Sequence, residues 1–241
     1  MFYFLFPFML IFSLPNLLMA LAAIVPAVWL IVRIWKKDAI EHEPVKLIVH
    51  LVLLGMLSTV GAVITETIGS MFIEEYTLVG KVLMYFIVVA LSEEGFKYLC
   101  LKKRTWNEPN FNYQFDGVVY AVAVSLGFAL LENIGYVFSY GLSTALVRAV
   151  TAVPGHACFG VFMGTWYGQA KRYAGEGDAE REKKCLRMAV LAPVALHGLY
   201  DFIASLETEY SWILFILFVA GMFFYTNRLI TRDAQQDRRV G

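Results

Sequence analysis

LSEEGFKYL, residues 91–99, closes an apolar run that begins near Leu78 and carries two glutamates and a lysine within five positions. A charged side chain at mid-membrane costs ~2.5–3.5 kcal/mol on insertion scales. Three of them are not retained without compensation. Either the run is no membrane helix, or its charges face a protected interior and act there.

The surrounding sequence decides for the second reading. Of 241 residues, 59% are hydrophobic and 17% charged, and the mean hydropathy is +0.62. Soluble domains are nearer half apolar and a quarter charged. Stretches of roughly 20 mostly apolar residues, the length that spans a bilayer, recur along the chain. The expected fold is all-α, a polytopic transmembrane helical bundle in the lipid bilayer. Seven core spans are placed at 17–35, 46–69, 78–101, 115–138, 144–169, 187–206 and 210–230. The formal net charge of +0 gives no footprint for nucleic acid. Cys100, Cys158 and Cys185 form no CxxC pair and point to neither a disulfide framework nor a thiolate metal site.

Short polar breaks such as KKDAIEHEP, KKRTWNEPN and KRYAGEGDAEREKK separate the spans. Of the 20 lysines and arginines, all but Lys81, Lys97 and Arg148 fall on alternate connections. The positive-inside rule then assigns those connections and the C-terminus to the cytoplasm, in a multi-pass protein of the cell membrane. Residues 1–16, MFYFLFPFMLIFSLPN, are too short for an ordinary span and lack the basic start of a signal peptide, although Ala20–Ala22 resembles a cleavage site. They read as an interfacial or partly inserted extension, with an eighth helix as the alternative. The expected division is this extension, a transmembrane domain over 17–230 and a cytoplasmic tail over 231–241.

Inside the spans the ionisable residues are few: Glu66, Glu93, Glu94, Lys97, Glu132, His156, His197 and Asp201. Glu66 lies near the outer end of its span and reads as reaching the interface. Helical spacing groups the others. Lys97 is four residues from Glu93 and three from Glu94, so it can pair with either. The two glutamates differ by ~100° around the axis, so one can point into a site while the other orients a neighbour. Phe128, Glu132 and Tyr136 recur at intervals of four, as do His197 and Asp201. His156 lies between Gly155 and Gly160, which let another helix approach. At ~1.5 Å of rise per residue, Glu93, His156, His197, Asp201 and Glu132 lie roughly 13–24 Å from the cytoplasmic ends of their spans. Four helices thus present acids and imidazoles at compatible heights.

Carboxylates and imidazoles from several helices are the usual material of a metal or water-activating site in a bundle. Glu132, His156 and His197 could hold a catalytic zinc ion (Zn2+), which takes three protein ligands and leaves one position for water. Glu93 is then the candidate base, with Glu94 and Lys97 fixing its geometry. Asp201 either orients His197 or is itself a ligand. Each group taken singly also reads as a helix–helix tie or hydrogen-bonded filler. Their coincidence on four helices, each at its own insertion cost, favours a site. Two further readings use the same residues: a proton- or ion-coupled transporter, against which the lack of an inverted repeat counts, and a non-catalytic membrane assembly protein. No HExxH helix is present.

These residues resemble the PrsW family of intramembrane proteases, distantly similar to the type II CAAX prenyl endopeptidases and the ABI proteins. The family's EExxK is matched by Glu93, Glu94 and Lys97, and its FxxxExxxY by Phe128, Glu132 and Tyr136. FDG at 115–117 precedes the second motif, His156 in HACFG follows it, and HGxxD is matched by His197, Gly198 and Asp201. KKDAIEHEP is similar to the family's acidic loop, and the resemblance runs over roughly residues 26–205. It implies an integral membrane protease, often described as a metalloprotease. It also implies a membrane-anchored protein substrate, an anti-sigma factor in the best-known member, cut first on its outer side. In the CAAX relatives a glutamate of the EE motif activates water and later polar residues stabilise the oxyanion. Those relatives carry His where this chain has Glu132. The resemblance therefore also allows a zinc-free, glutamate-activated water with His197 and Asp201 as stabilisers, and it counts against a prenyl-protein substrate.

Overall fold

The computed structural model describes residues 14–240, and among them no strand is formed. The N-terminal extension expected over residues 1–16 lies, up to residue 13, outside the described residues. The chain runs through α1 (Leu14–Trp35), α2 (Val45–Ser70), α3 (Leu78–Val82), a π segment (Leu83–Ala90) and α4 (Leu91–Thr105). It continues through α5 (Asp116–Tyr140), α6 (Leu142–Val150), α7 (Ala152–Gly175), α8 (Ala179–Ala204) and α9 (Ser211–Gln235). Each expected span has its counterpart. Six stretches are long and apolar enough by composition to cross a membrane, α6 and α7 counting together. The remaining span, α3 to α4, is the one that carries the EExxK charges.

The lipid face is visible in single helices. On α2, Val49, Leu53, Leu57, Val60 and Ile64 are exposed at helical spacing, while Leu47, Leu51, Gly55, Ser58 and Ala62 are buried on the other side. A stripe of large exposed apolar side chains on a long hydrophobic helix is the surface that acyl chains cover. α5 is the opposite case and forms the core, since every residue from Asp116 to Ala129 is buried. Its neighbours approach to backbone distance. On α7, Gly160, Gly164 and Gly168 recur every fourth residue along the seam with α5. A Cβ on Gly164 would lie 2.4 Å from Val118 Cα, and one on Gly168 would lie 2.0 Å from the Gln114 carbonyl oxygen. Small residues at this spacing let helices pack tightly where lipid gives no hydrophobic drive. Gly155, by contrast, meets only ordinary side-chain contacts.

Two departures from the expected spans matter for the site. The fifth span is not one helix. Thr151 has φ −121° and ψ −71°, and separates α6 from α7. The cause is Pro154, which has no N–H and whose ring would clash with the carbonyl of Val150 in a continuous helix. The third span changes to π winding over Leu83–Ala90, immediately before Glu93 and Glu94.

Candidate active site

The first turn of α4 carries Glu93 and Glu94. Lys97, one turn on, is fully buried and donates to Glu93 Oε2 at 3.0 Å and Glu94 Oε1 at 2.7 Å. The spacing allowed Lys97 either carboxylate, and the ammonium holds both. Its Nζ also lies 3.1 Å from Nδ1 of His156 on α7. An ammonium only donates, so Nδ1 is the acceptor and the His156 proton sits on Nε2. That N–H donates to Glu132 Oε2 on α5 at 2.9 Å. The Phe128 ring lies 3.9 Å below the ammonium, adding a cation–π contact to the two ion pairs.

The second imidazole is held as tightly. His197 Nδ1 is 2.9 Å from Glu94 Oε1, and Nε2 is 3.3 Å from Asp201 Oδ2, one turn along α8. Each ring nitrogen faces a carboxylate oxygen, and Phe159 stacks on the ring with centroids 4.6 Å apart. The two imidazole centroids are 5.3 Å apart. Glu93, Glu94, Lys97, Glu132, His156, His197 and Asp201, all singled out from the sequence, are therefore linked in one network of side chains from four helices. Glu94 is buried behind the network. Glu93, Glu132, His156, His197 and Asp201 line a cavity of about 370 Å³. It adjoins an apolar groove of about 630 Å³, with Thr59, Val63, Glu132 and Tyr136 common to both.

Sequence reasoning missed two members of this wall. In the sequence Arg148 stands out only as one of three basic residues off the cytoplasmic connections. Because Pro154 turns α6 away from α7, Arg148 instead reaches the cavity. Its Nη2 is 3.0 Å from Glu132 Oε2, its Nε donates to Asn133 Oδ1 at 2.9 Å, and its guanidinium lies 4.0 Å over the Tyr136 ring. Glu66 lines the cavity, with Oε1 buried and unpartnered, instead of reaching the interface. The signal for Arg148 was the proline four residues after Val150. Glu66 left no local signal, since its position depends on how α2 lies across α4 and α5.

Imidazole nitrogens and carboxylate oxygens are the donors that zinc and similar divalent metals take. Donor atoms of Glu93, Glu94 and His156 lie within 4.8 Å of one another, and Glu94 Oε2 is buried without a partner. By type these donors suit a metal, and the trio that converges is Glu93, Glu94 and His156, with Glu132 joined to it through His156 and His197 through Glu94. The Lys97 ammonium stands among the same atoms as a cation.

Comparison with known proteins agrees with this chemistry. The sequence profile described as PrsW family intramembrane metalloprotease matches residues 43–226. Protease PrsW of Oceanobacillus iheyensis is 36% identical over 193 residues, covering 80% of this chain and 86% of that protein. Protease PrsW of Clostridioides difficile (strain 630) is 34% identical over 205 residues, covering 83% and 84%. Protease PrsW of Bacillus subtilis (strain 168) is 32% identical over 196 residues, covering 81% and 86%. No solved structure matches. With acids and imidazoles of four helices gathered inside a membrane-spanning bundle, and with these relatives aligned over most of their length, the chain belongs to the PrsW family of intramembrane metalloproteases.

Proposed function

We propose that the chain hydrolyses a peptide bond in or near the outer juxtamembrane segment of a membrane-anchored protein, with an anti-sigma factor as the substrate class. One protease domain over residues 17–230 would do this work, with the C-terminus and residues 231–241 on the cytoplasmic side. The observation that carries the reading is the convergence of Glu93, Glu132, His156, His197 and Asp201 on one cavity that adjoins an apolar groove. A hydrolase of helical substrates needs both: a polar chamber that admits water, and an apolar approach for a segment arriving from lipid.

Glu93 is the base. Its carboxylate faces the cavity and takes a proton from the attacking water, then gives it to the departing amine. Glu94 touches Lys97 and His197 and holds both. It acts on the reaction through the lysine that orients Glu93. His197 lies between Glu94 and Asp201, and as the carbonyl becomes tetrahedral its Nε2–H turns from the Asp201 carboxylate, 3.3 Å away, to the oxyanion. Zn2+, if held by Glu132, His156 and His197, would supply that stabilisation in place of the His197 N–H, lowering the pKa of a ligated water and polarising the scissile carbonyl. Arg148 keeps Glu132 turned toward His156.

A zinc-free reading is favoured by one feature: the Lys97 ammonium already supplies a cation between Glu93, Glu94 and His156. In that case Glu93 and Glu132 would activate water between them, and His197 with Asp201 would stabilise the oxyanion. Metal content of the detergent-purified protein separates the two. Near-stoichiometric zinc that is lost in well-folded His156→Ala and His197→Ala variants supports the metal reading. Peptide hydrolysis by protein free of metal would sink it. Loss of hydrolysis in a normally folded Glu93→Gln protein excludes the assembly-protein reading, and ion flux in liposomes would instead favour the transporter.

A further inference from the structure

A second buried acidic cluster lies at the end of the bundle where the α1–α2 connection meets the start of α5, away from the imidazoles. Asp38 and Glu43 come from that connection, and Asp116 is the first residue of α5. All three are at most 3% exposed, and donor oxygens of the three lie within 4.8 Å of one another. Among the described residues none of them is ion-paired to a lysine or arginine.

Their hydrogen bonds account for only part of their capacity. Asp116 Oδ2 accepts from the backbone N–H groups of Asn112 and Tyr113 at 3.0 and 2.7 Å. Glu43 Oε2 accepts from the Tyr120 hydroxyl at 2.6 Å. Asp116 Oδ1 and Asp38 Oδ2 are buried with no partner at all. An unsatisfied buried carboxylate oxygen carries its full desolvation penalty, and here two of them sit in a pocket of like charge. Burial pushes the Asp38 carboxyl up to about 6, with Asp237 beside it adding to the rise, and burial pushes Glu43 up to about 7.

We infer that Asp38, Glu43 and Asp116 form a binding site for a hard divalent cation of the Mg2+, Mn2+ or Ca2+ class. The donors are all oxygens, and three carboxylates exceed the charge of one divalent ion. That is the ligand chemistry which suits these cations. Bound there, the cation joins the α1–α2 connection to the N-terminus of α5, the helix that carries Glu132. The site is independent of the protease centre, so its test needs no substrate.

The full-length protein, stripped with chelator in mild detergent, is titrated with Mn2+ and followed by electron paramagnetic resonance and thermal unfolding. The same titration is made on Asp38→Asn, Asp116→Asn and His156→Ala proteins. Expected in wild type is one Mn2+ per chain that depends on these carboxylates, over and above any ion at the His156 centre, with a melting temperature that rises on binding. His156→Ala retains this ion, whereas either Asn variant binds it at least tenfold more weakly. Mg2+ or Ca2+ in excess displaces it. No saturable binding by wild type at millimolar Mn2+ overturns the proposal. So does binding unchanged by both Asn substitutions, or binding that His156→Ala abolishes. If the Asn variants do not fold, Glu43→Gln takes their place and the same tenfold weakening decides.

Discussion

Lys97 is the side chain on which the site depends most. It is fully buried, yet it satisfies Glu93, Glu94 and His156 with its three protons. Removing one partner of a buried ion pair costs ~3–5 kcal/mol, because the other charge is left uncompensated. Lys97→Met should therefore unfold at clearly lower temperature than wild type, read by a thermal melt in detergent. Glu93→Gln is nearly isosteric and keeps an acceptor oxygen for Lys97. It should melt close to wild type while hydrolysis of a model substrate falls by ~10²–10⁴, the usual loss on removing a general base. An active Glu93→Gln protein would mean the base lies elsewhere. Arg148 touches Glu132 and not the cavity centre, so Arg148→Leu should lower turnover with little change in substrate affinity, and Arg148→Lys should restore part of it.

Elements decide how these side chains meet. The seam between α5 and α7 depends on Gly160, Gly164 and Gly168, and a methyl at 164 would meet backbone atoms of Gly117 and Val118, which cannot turn aside. Overpacking of this kind costs ~1–3 kcal/mol. Gly164→Ala should lower the melting temperature and weaken hydrolysis together, as His156 and Glu132 move apart. The break at Thr151 works differently. Pro154→Ala restores the hydrogen bond to the Val150 carbonyl, letting α6 run on into α7 and drawing Arg148 away from Glu132. Helix content by circular dichroism should hold or rise while activity drops. Unchanged activity would show that the break does not position the arginine. The π segment adds a third device, because its wider winding resets the rotation of α4 just before Glu93, and such segments recur where side chains are re-aimed at functional sites.

The whole molecule places the ends of the bundle differently. One end holds the α1–α2 connection, the 106–115 loop and the C-terminal residues. Gln114 N donates to the Arg238 carbonyl at 2.8 Å, Val240 N donates to the Asn112 carbonyl at 2.8 Å, and Val240 is buried. Most of the lysines and arginines are on connections at this end, so it should face the cytoplasm. A green fluorescent protein fused after Gly241 should fluoresce and an alkaline phosphatase there should stay inactive. The reverse pattern would invert the topology and put the cavity nearer the cytoplasmic leaflet.

The amino-acid sequence by itself determined the class of molecule, a helix or helix pair for each span, and which polar residues lie inside them: Glu93, Glu94, Lys97, Glu132, His156, His197 and Asp201. Each of these follows from local quantities: apolar length, helical period, and the cost of an ionisable group in lipid, which any unexplained acid or imidazole makes visible. The motif resemblance also rested on short spacings. Only the tertiary structure decided that Lys97 binds both glutamates and His156 at once, that Arg148 and Glu66 belong to the cavity wall, and that Asp38, Glu43 and Asp116 meet. Those contacts join residues far apart in the chain, as in Lys97 with His156, 59 positions away. They depend on where a proline breaks a helix, where winding shifts to π, and where glycines let backbones touch. A periodic pattern says which face of a helix is polar, but the angle and depth at which two helices cross say which polar groups touch.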